Sequence, residues 1–321
     1  MRPLTIAAIV VLDLFLVATA LWYFAPRETW PPNAPVVTPG DDLDLWLAGR
    51  EGVFDDITPG AEKRILWAGE PGQRTPLALV YLHGFSATRA EIAPVPEALA
   101  ATLGANLYET RLAGHGRPGE ALGAVSVEDW RTDLAEAMAI ARRLGERVVL
   151  IGTSTGGSLA VLAALDPQYA PDLAGLILVS PNFEVASSQA FILDLPFARQ
   201  WAPPLMGRTR SWEPANAGQA RFWTHSYPTT ALFPMRALQT AARDADHAQA
   251  RVPALVFYAE GDSVVRPAAT LSAMARWGAP VALHVVTNAE DASQHVIAGD
   301  ILSPSANAGV IAIATDWLAA L

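Results

Sequence analysis

Residues Arg147-Val-Val-Leu-Ile151 run straight into Gly152-Thr153-Ser154-Thr155-Gly156-Gly157, and then into a helical stretch from Ser158 to Leu165 that Pro167 stops. A short β-branched run that leads through glycines into a helix reads as one buried strand of a parallel sheet. Five more runs have the same character: Leu77–Leu82, Asn106–Thr110, Gly175–Val179, Ala254–Tyr258 and Val281–Val286. Helical stretches lie between them. One opens at Ser126, with Glu128 and Asp129 in its first turn, and runs to about Leu144 before Gly145. Another, from Ala308 to Leu321, closes the chain. Strands alternating with helices predict an α/β fold built on a mainly parallel, doubly wound sheet. No internal repeat is visible.

One interval breaks the rhythm. Between Asn182 and Arg251 no strand is evident, and the segment carries Trp201, Trp212, Phe222, Trp223 and several prolines. It is too long for a simple connection. A helical cap insertion at about 183–250 is predicted, lying over the C-terminal edge of the sheet where ligands bind in such folds.

Composition narrows the functional classes. Hydrophobic residues make up 51% of the 321 residues and charged residues 17%, enough apolar matter for a large core and too little charge for a disordered chain. The 22 Lys and Arg against 32 Asp and Glu leave a net charge of −10, which repels phosphate backbones and argues against a nucleic-acid partner. The absence of cysteine removes disulfides, thiolate nucleophiles and Cys-based zinc sites.

The first twenty-five residues are a separate object. The run from Leu4 to Phe24 is nearly all apolar, with Asp13 its only charge, and about 20 such residues span a bilayer as a helix. Trp22 and Tyr23 close it as interfacial aromatics would. An uncleaved transmembrane anchor over 1–25 is expected. The rival readings are a cleaved signal peptide, for which Ala18-Thr19-Ala20 offers a small-x-small site, and a buried globular helix. Asp13 costs around 3 kcal/mol near mid-span. Arg2 and the amino terminus precede the run, so the positive-inside rule puts the body on the non-cytoplasmic side. A Pro-rich linker over 26–40, with Pro31, Pro32, Pro35 and Pro39, would then hold the 41–321 body off the membrane.

Four stretches carry chemistry. In the Gly152–Gly157 turn, Ser154 sits between a strand and a helix N-terminus, where developing negative charge is favoured. The glycines two residues either side allow the chains to approach closely. Leu82-His83-Gly84-Phe85-Ser86 follows the first strong strand, and a loop there can turn the Phe85 N–H towards the serine. With the N–H of Thr155 it makes a two-donor oxyanion hole. His83 reads as a support of that loop. Asp262, in Glu260-Gly261-Asp262-Ser263, leaves a strand end on the same sheet edge and is the expected orienting carboxylate, ahead of Glu260, Asp291 and Asp300. His295 follows the last strand in a loop and is the expected base. The other histidine after Asp262, His284, lies inside a strand pattern.

Taken in order, Leu82–Phe85, Arg111-Leu112-Ala113-Gly114-His115-Gly116, Gly152–Gly157, Gly261-Asp262 and His295 resemble the α/β-hydrolase superfamily. Within it the chain is most similar to the monoacylglycerol lipase and carboxylesterase-like group, often described as serine-aminopeptidase-like, over about Leu77–Leu321. The resemblance implies an α/β-hydrolase fold, Ser154 as nucleophile, Asp262 as acid, His295 as base, and Phe85 and Thr155 as oxyanion donors. It also implies a structural role for His115. The chain departs from the group in the threonines flanking Ser154 and in the N-terminal helix.

The expectation is a serine hydrolase of carboxylic esters, with a small-molecule ester or lipid-like substrate, the membrane as a partner, and no cofactor or metal. An amidase, a peptidase or a thioesterase would use the same triad, and a silent binding protein on a hydrolase fold is the reading outside enzymes. Asp244, Asp246 and His247 cluster without useful metal-ligand spacing. Gly156-Gly157 is not spaced as a dinucleotide fingerprint.

Overall fold

The computed structural model describes residues 3–33 and 35–321, with side chains from Thr5 onward. Arg2, on which the orientation reading turns, lies outside the described residues. The strands are β1 (Arg64–Leu66), β2 (Thr75–Leu82), β3 (Asn106–Glu109), β4 (Gly145–Thr153), β5 (Leu173–Val179), β6 (Thr209–Ser211), β7 (Ser226–Pro228), β8 (Ala254–Tyr258) and β9 (Val281–Val285). The helices are α1 (Pro3–Phe24), α2 (Leu43–Glu51), α3 (Val95–Leu103), α4 (Gly119–Ala124), α5 (Val127–Leu144), α6 (Thr155–Leu165), α7 (Ala198–Met206), α8 (Ala217–Phe222), α9 (Leu232–Asp244), α10 (Pro267–Met274) and α11 (Asn307–Ala319).

Seven strands form the main sheet in the order β1-β3-β2-β4-β5-β8-β9, parallel except for β1, which runs antiparallel to β3. All six strands expected from sequence are present. The edge strand β1 was not foreseen, because three residues carry no periodicity to read. The register aligns the C-terminal ends of the central strands, with Leu82 opposite Gly152, Thr153 opposite Val179, and Val179 opposite Phe257. Everything that leaves those ends is delivered to one edge.

The sheet is packed on both faces. One apolar cluster joins it to α5, α6 and α9 through residues such as Trp130, Met138, Leu159 and Leu238. The other joins it to α3, α11 and the Val296–Ala298 segment. Helix α5 starts where the sequence placed it: Ser126 Oγ accepts from Asp129 N, and the Asp129 carboxylate accepts from Ser126 N at 2.8 Å, a reciprocal capping box. Helix α6 begins at Thr155, three residues before the position read from sequence, because the turn feeds it without an intervening loop.

The segment between β5 and β8 holds α7, α8 and α9, but it also contains a two-stranded antiparallel sheet of β6 and β7. This segment, expected as a helical cap, is therefore not purely helical. It is fastened to the body by α9 lying on α6 and by the N–H of Thr224, which donates to Ser86 O at 2.7 Å.

Helix α1 is an apolar helix with mean hydropathy 2.3 over Thr5–Phe24, none of it buried, which makes it a candidate transmembrane or signal helix. Among its described residues the Pro-rich segment after it has no helix or strand, yet it is tied to the body. Glu28 accepts from Val127 N, at the start of α5, and from Arg199 of the cap, both at 2.6 Å. The Arg131 guanidinium lies over the Trp30 ring, 5.1 Å from its centroid.

Close backbone approach fixes the elbow between β4 and α6. A Cβ at Gly156 would lie 1.9 Å from the carbonyl oxygen of Leu82, and one at Gly152 would lie 2.5 Å from that of Gly156. Neither carbonyl belongs to a side chain that could swing away. Gly156→Ala is therefore expected to cost at least about 3 kcal/mol in chemical unfolding. Gly49→Ala in α2, where nothing lies within 4 Å, is the control and is expected to be neutral or slightly stabilising. Equal midpoints for the two variants would contradict this reading.

Candidate active site

Ser154 occupies the turn between β4 and α6 with φ 51° and ψ −113°, a left-handed conformation that costs a non-glycine residue on the order of 1–3 kcal/mol. The surroundings hold it there. Its N–H donates to Val179 O at 2.9 Å, and its carbonyl accepts from Asn182 N at 3.0 Å. The side chain is thus lifted off the sheet edge at the first turn of α6, where N–H groups lack helical partners.

Asp262 and His295 meet directly. His295 Nδ1 lies 2.8 Å from Asp262 Oδ2. The other carboxylate oxygen accepts from Val264 N at 2.8 Å and Val265 N at 2.9 Å. With Nδ1 donating to the carboxylate, Nε2 is left as the basic nitrogen. Burial pulls the imidazole down, but the hydrogen bond and charge of Asp262, joined by the charges of Glu91 and Asp291, outweigh it. The net result is a proton affinity above the ordinary histidine value of 6.5. Among the described residues, no hydrogen bond links Ser154 Oγ to the ring; in free enzymes such contacts are often long and tighten when substrate binds.

The loop bearing His295 has its own anchor, the role the structure gives to Asp291. Asp291 Oδ2 accepts from the N–H groups of His295 and Val296, each at 3.0 Å, and from the Ser293 hydroxyl. Burial would raise the Asp291 carboxyl, but these donors hold it below its ordinary 3.8. The loops that carry Asp262 and His295 are tied together by Ser263 N donating to Ser293 O at 2.9 Å. Gly261 lies against the Gln294 side chain, where a Cβ would stand 2.2 Å from Oε1 and push that amide aside. The other competing groups are placed elsewhere. Glu260 and Asp300 are exposed, and His284 is half-buried on β9 against the Phe257 ring.

The Phe85 and Thr155 N–H groups donate no hydrogen bond among the described residues. Their support is partly His83. His83 Nε2 accepts from Leu112 N at 3.0 Å, so Nδ1 carries the proton and donates to Gly84 O at 2.9 Å. That carbonyl shares a peptide plane with the Phe85 N–H, so fixing one fixes the other. Burial holds His83 neutral, with its proton affinity well below the histidine norm. His115 packs 4.9 Å from His83 and 5.9 Å from the Phe85 ring, its proton affinity lowered to about 4 by burial. Tyr227 of the cap covers Phe85 edge to face, with centroids 5.3 Å apart.

The fold is shared with known proteins. Residues 74–290 match the model of the family described as serine aminopeptidase, S33 (Hydrolase_4). The chain belongs to that family. The match stops before His295. No curated protein sequence matches at a significant level. Among solved structures, this S33 family member resembles that reported under the heading of LipS and LipT, two metagenome-derived lipolytic enzymes. The TM-score is 0.69 at 20% identity, covering 83% of this chain and 100% of that one. The monoacylglycerol lipase of Paleococcus ferrophilus gives 0.56 at 15% identity, with 80% and 97% covered. The enol-lactonase of Burkholderia xenovorans LB400 gives 0.52 at 17%, with 80% and 96% covered. These likenesses show an α/β-hydrolase fold.

Because a base must be neutral to accept a proton, the raised affinity of His295 has a kinetic consequence. The acid limb of kcat/KM should fall at a pH above 6.5, with activity lost below it as the ring protonates. Asp262→Asn should lower kcat by about 10⁴-fold by allowing the wrong tautomer. Steady-state kinetics from pH 5 to 9 would check both, and an acid limb at or below pH 6 would contradict the assignment.

Proposed function

We propose that this protein is a membrane-anchored serine hydrolase that cleaves carboxylic esters through an acyl-enzyme on Ser154. The observation that carries the proposal is the Asp262–His295 hydrogen bond, on the sheet edge where Ser154 stands on a strained elbow. His295 Nε2 removes the Ser154 proton as Oγ attacks the ester carbonyl, and the Phe85 and Thr155 amides receive the oxyanion. The imidazolium, balanced by Asp262, returns its proton to the departing alcohol. Water, deprotonated by the same nitrogen, then attacks the acyl-enzyme, and Ser154 is regenerated as the acid leaves.

Substrates of lipid-like or medium-chain acyl character suit a body carried behind an apolar helix over Thr5–Phe24. A cavity of about 820 Å³ lies between the end of α1, the following segment and the cap, lined by Trp22, Trp30, Leu193, Leu195 and Phe233 among others. Its lining includes none of Ser154, Asp262, His295, Phe85 and Thr155, so it stands apart from the proposed acyl-transfer site. Acids at this cavity are matched by arginines, Asp194 with Arg236, Asp244 with Arg243 and Glu28 with Arg199. Helix α1 serves as an uncleaved anchor over 1–25, with the body, cap insertion at about 183–250 included, on the non-cytoplasmic side.

Ester hydrolysis by the full-length protein in detergent micelles tests the proposal, using p-nitrophenyl esters from acetate to long-chain acyl. The parent is expected to turn over with an optimum at medium or longer chains. Ser154→Ala is expected to lose about 10⁴-fold or more in kcat while keeping its fold. Equal activity in the two proteins would refute the assignment of Ser154.

A further inference from the structure

Glu91 ends the 3₁₀ turn Arg89–Glu91 and is 2% exposed. Among the described residues no lysine or arginine forms an ion pair with it. A buried carboxyl without a cation is costly to keep, and stability alone gives no reason for it. Its contacts supply one. Oε2 accepts from Gly84 N at 2.7 Å and from the Tyr81 hydroxyl at 3.0 Å. Tyr81 Oη lies 3.2 Å from Thr153 Oγ1, on the residue before Ser154. A Cβ at Gly84 would lie 2.6 Å from Glu91 Oε1, so the glycine is needed for this contact. On the other side, the turn packs against the loop that carries His295. Asp300 N donates to Ala93 O at 2.8 Å, and a Cβ at Gly299 would lie 2.5 Å from Glu91 O.

We propose that Glu91 is a positioning residue of the acyl-transfer site: it fixes the donor loop through Gly84, braces the elbow through Tyr81 and Thr153, and stabilises the imidazolium on His295. The inference rests on the acyl-transfer reading above. Glu91 holds the N–H of Gly84 and His83 holds its carbonyl, so both peptides flanking that residue are clamped and the Phe85 N–H keeps its direction. The carboxylate stands one peptide away from that donor, so it does not compete for the place of the oxyanion. It acts instead on the positive charge that forms when His295 takes the Ser154 proton.

The electrostatics agree with this placement. Burial raises the Glu91 carboxyl to about 7, against the pull of the Gly84 N–H, the His295 charge and the Tyr81 hydroxyl. The charged groups facing His295 are Asp262 from the loop after β8, Asp291 from its own loop and Glu91 from the turn. Those bearing on Tyr81 are Glu91 and, from β3, Glu109.

The test uses the full chain in detergent micelles and the variant Glu91→Gln, which keeps the shape and an acceptor for Gly84 N–H but removes the charge. Two quantities are read: ester kinetics, and the pH titration of the His295 ring by ¹⁵N NMR, assigned with His295→Asn. Removing a nearby negative charge lowers the affinity of an imidazole for its proton. Glu91→Gln should therefore move the His295 titration and the acid limb of kcat/KM to lower pH. It should also reduce kcat about 10-fold with KM little changed. Glu91→Ala, which gives up the hold on Gly84 as well, should reduce kcat further. Parental kcat with an unmoved titration in Glu91→Gln would overturn the proposal, even with a lowered melting temperature, since that pattern belongs to a merely structural residue. If Glu91→Gln does not fold, Tyr81→Phe takes its place, and undiminished kcat there is equally contrary. If the parent cleaves no ester, the acyl-transfer reading fails by itself, while the titration still decides whether Glu91 acts on His295.

Discussion

The approach of the elbow to the end of β2 is the constraint on which the rest of the site depends. Gly156 passes so close to the Leu82 carbonyl that any side chain there would collide with backbone. That contact sets how β4 turns into α6, forces Ser154 into a left-handed conformation, and brings the first N–H groups of α6 beside the loop that starts at His83. The strain at Ser154 is carried by bonds to neighbouring strand ends, Val179 O and Asn182 N, which a parallel sheet supplies at the same edge.

Around the elbow, buried polar groups set direction and charge. His83 is kept neutral by burial and orients one peptide. Asp262 saturates one oxygen with two backbone donors, so that its other oxygen faces the imidazole in a single arrangement. Asp291 gathers the amides of the loop that carries that imidazole. Paired groups such as these rigidify a site, because an unmet partner in a dry interior is expensive. Rigid donors and acceptors are what acyl transfer requires, since charge moves from serine to an oxyanion and an imidazolium at once.

Much of this was legible in the sequence, for physical reasons. The central strands announce themselves because burial on both faces demands unbroken apolar runs, as in Val148–Ile151 and Leu176–Val179. Asp262 and His295 were expected from chain order and from following strand ends, and the structure sets them 2.8 Å apart. Short elements were not legible: β1, β6 and β7 have three residues each and are formed by their neighbours rather than by their own pattern. Nor was the docking of the segment after α1. Its prolines suggested a stiff extended spacer, and they carry no sign that Glu28 and Trp30 find partners far along the chain, in Val127, Arg199 and Arg131. Asp291 was read as a rival acid, because a carboxylate that binds backbone amides looks the same in sequence as one that binds a histidine. Glu91 carries no motif at all, and only the fold shows that its turn lies beneath Gly84 and against the His295 loop.

The claim at the centre of this account is that one serine, made nucleophilic by its place in the fold, carries the acyl group. Reaction of the folded full-length protein with a fluorophosphonate, followed by peptide mass spectrometry, tests it most directly. The account predicts a single stoichiometric adduct on the peptide that contains Ser154, lost when His295 is replaced by alanine. An adduct on another serine, or none in a folded sample, would contradict it.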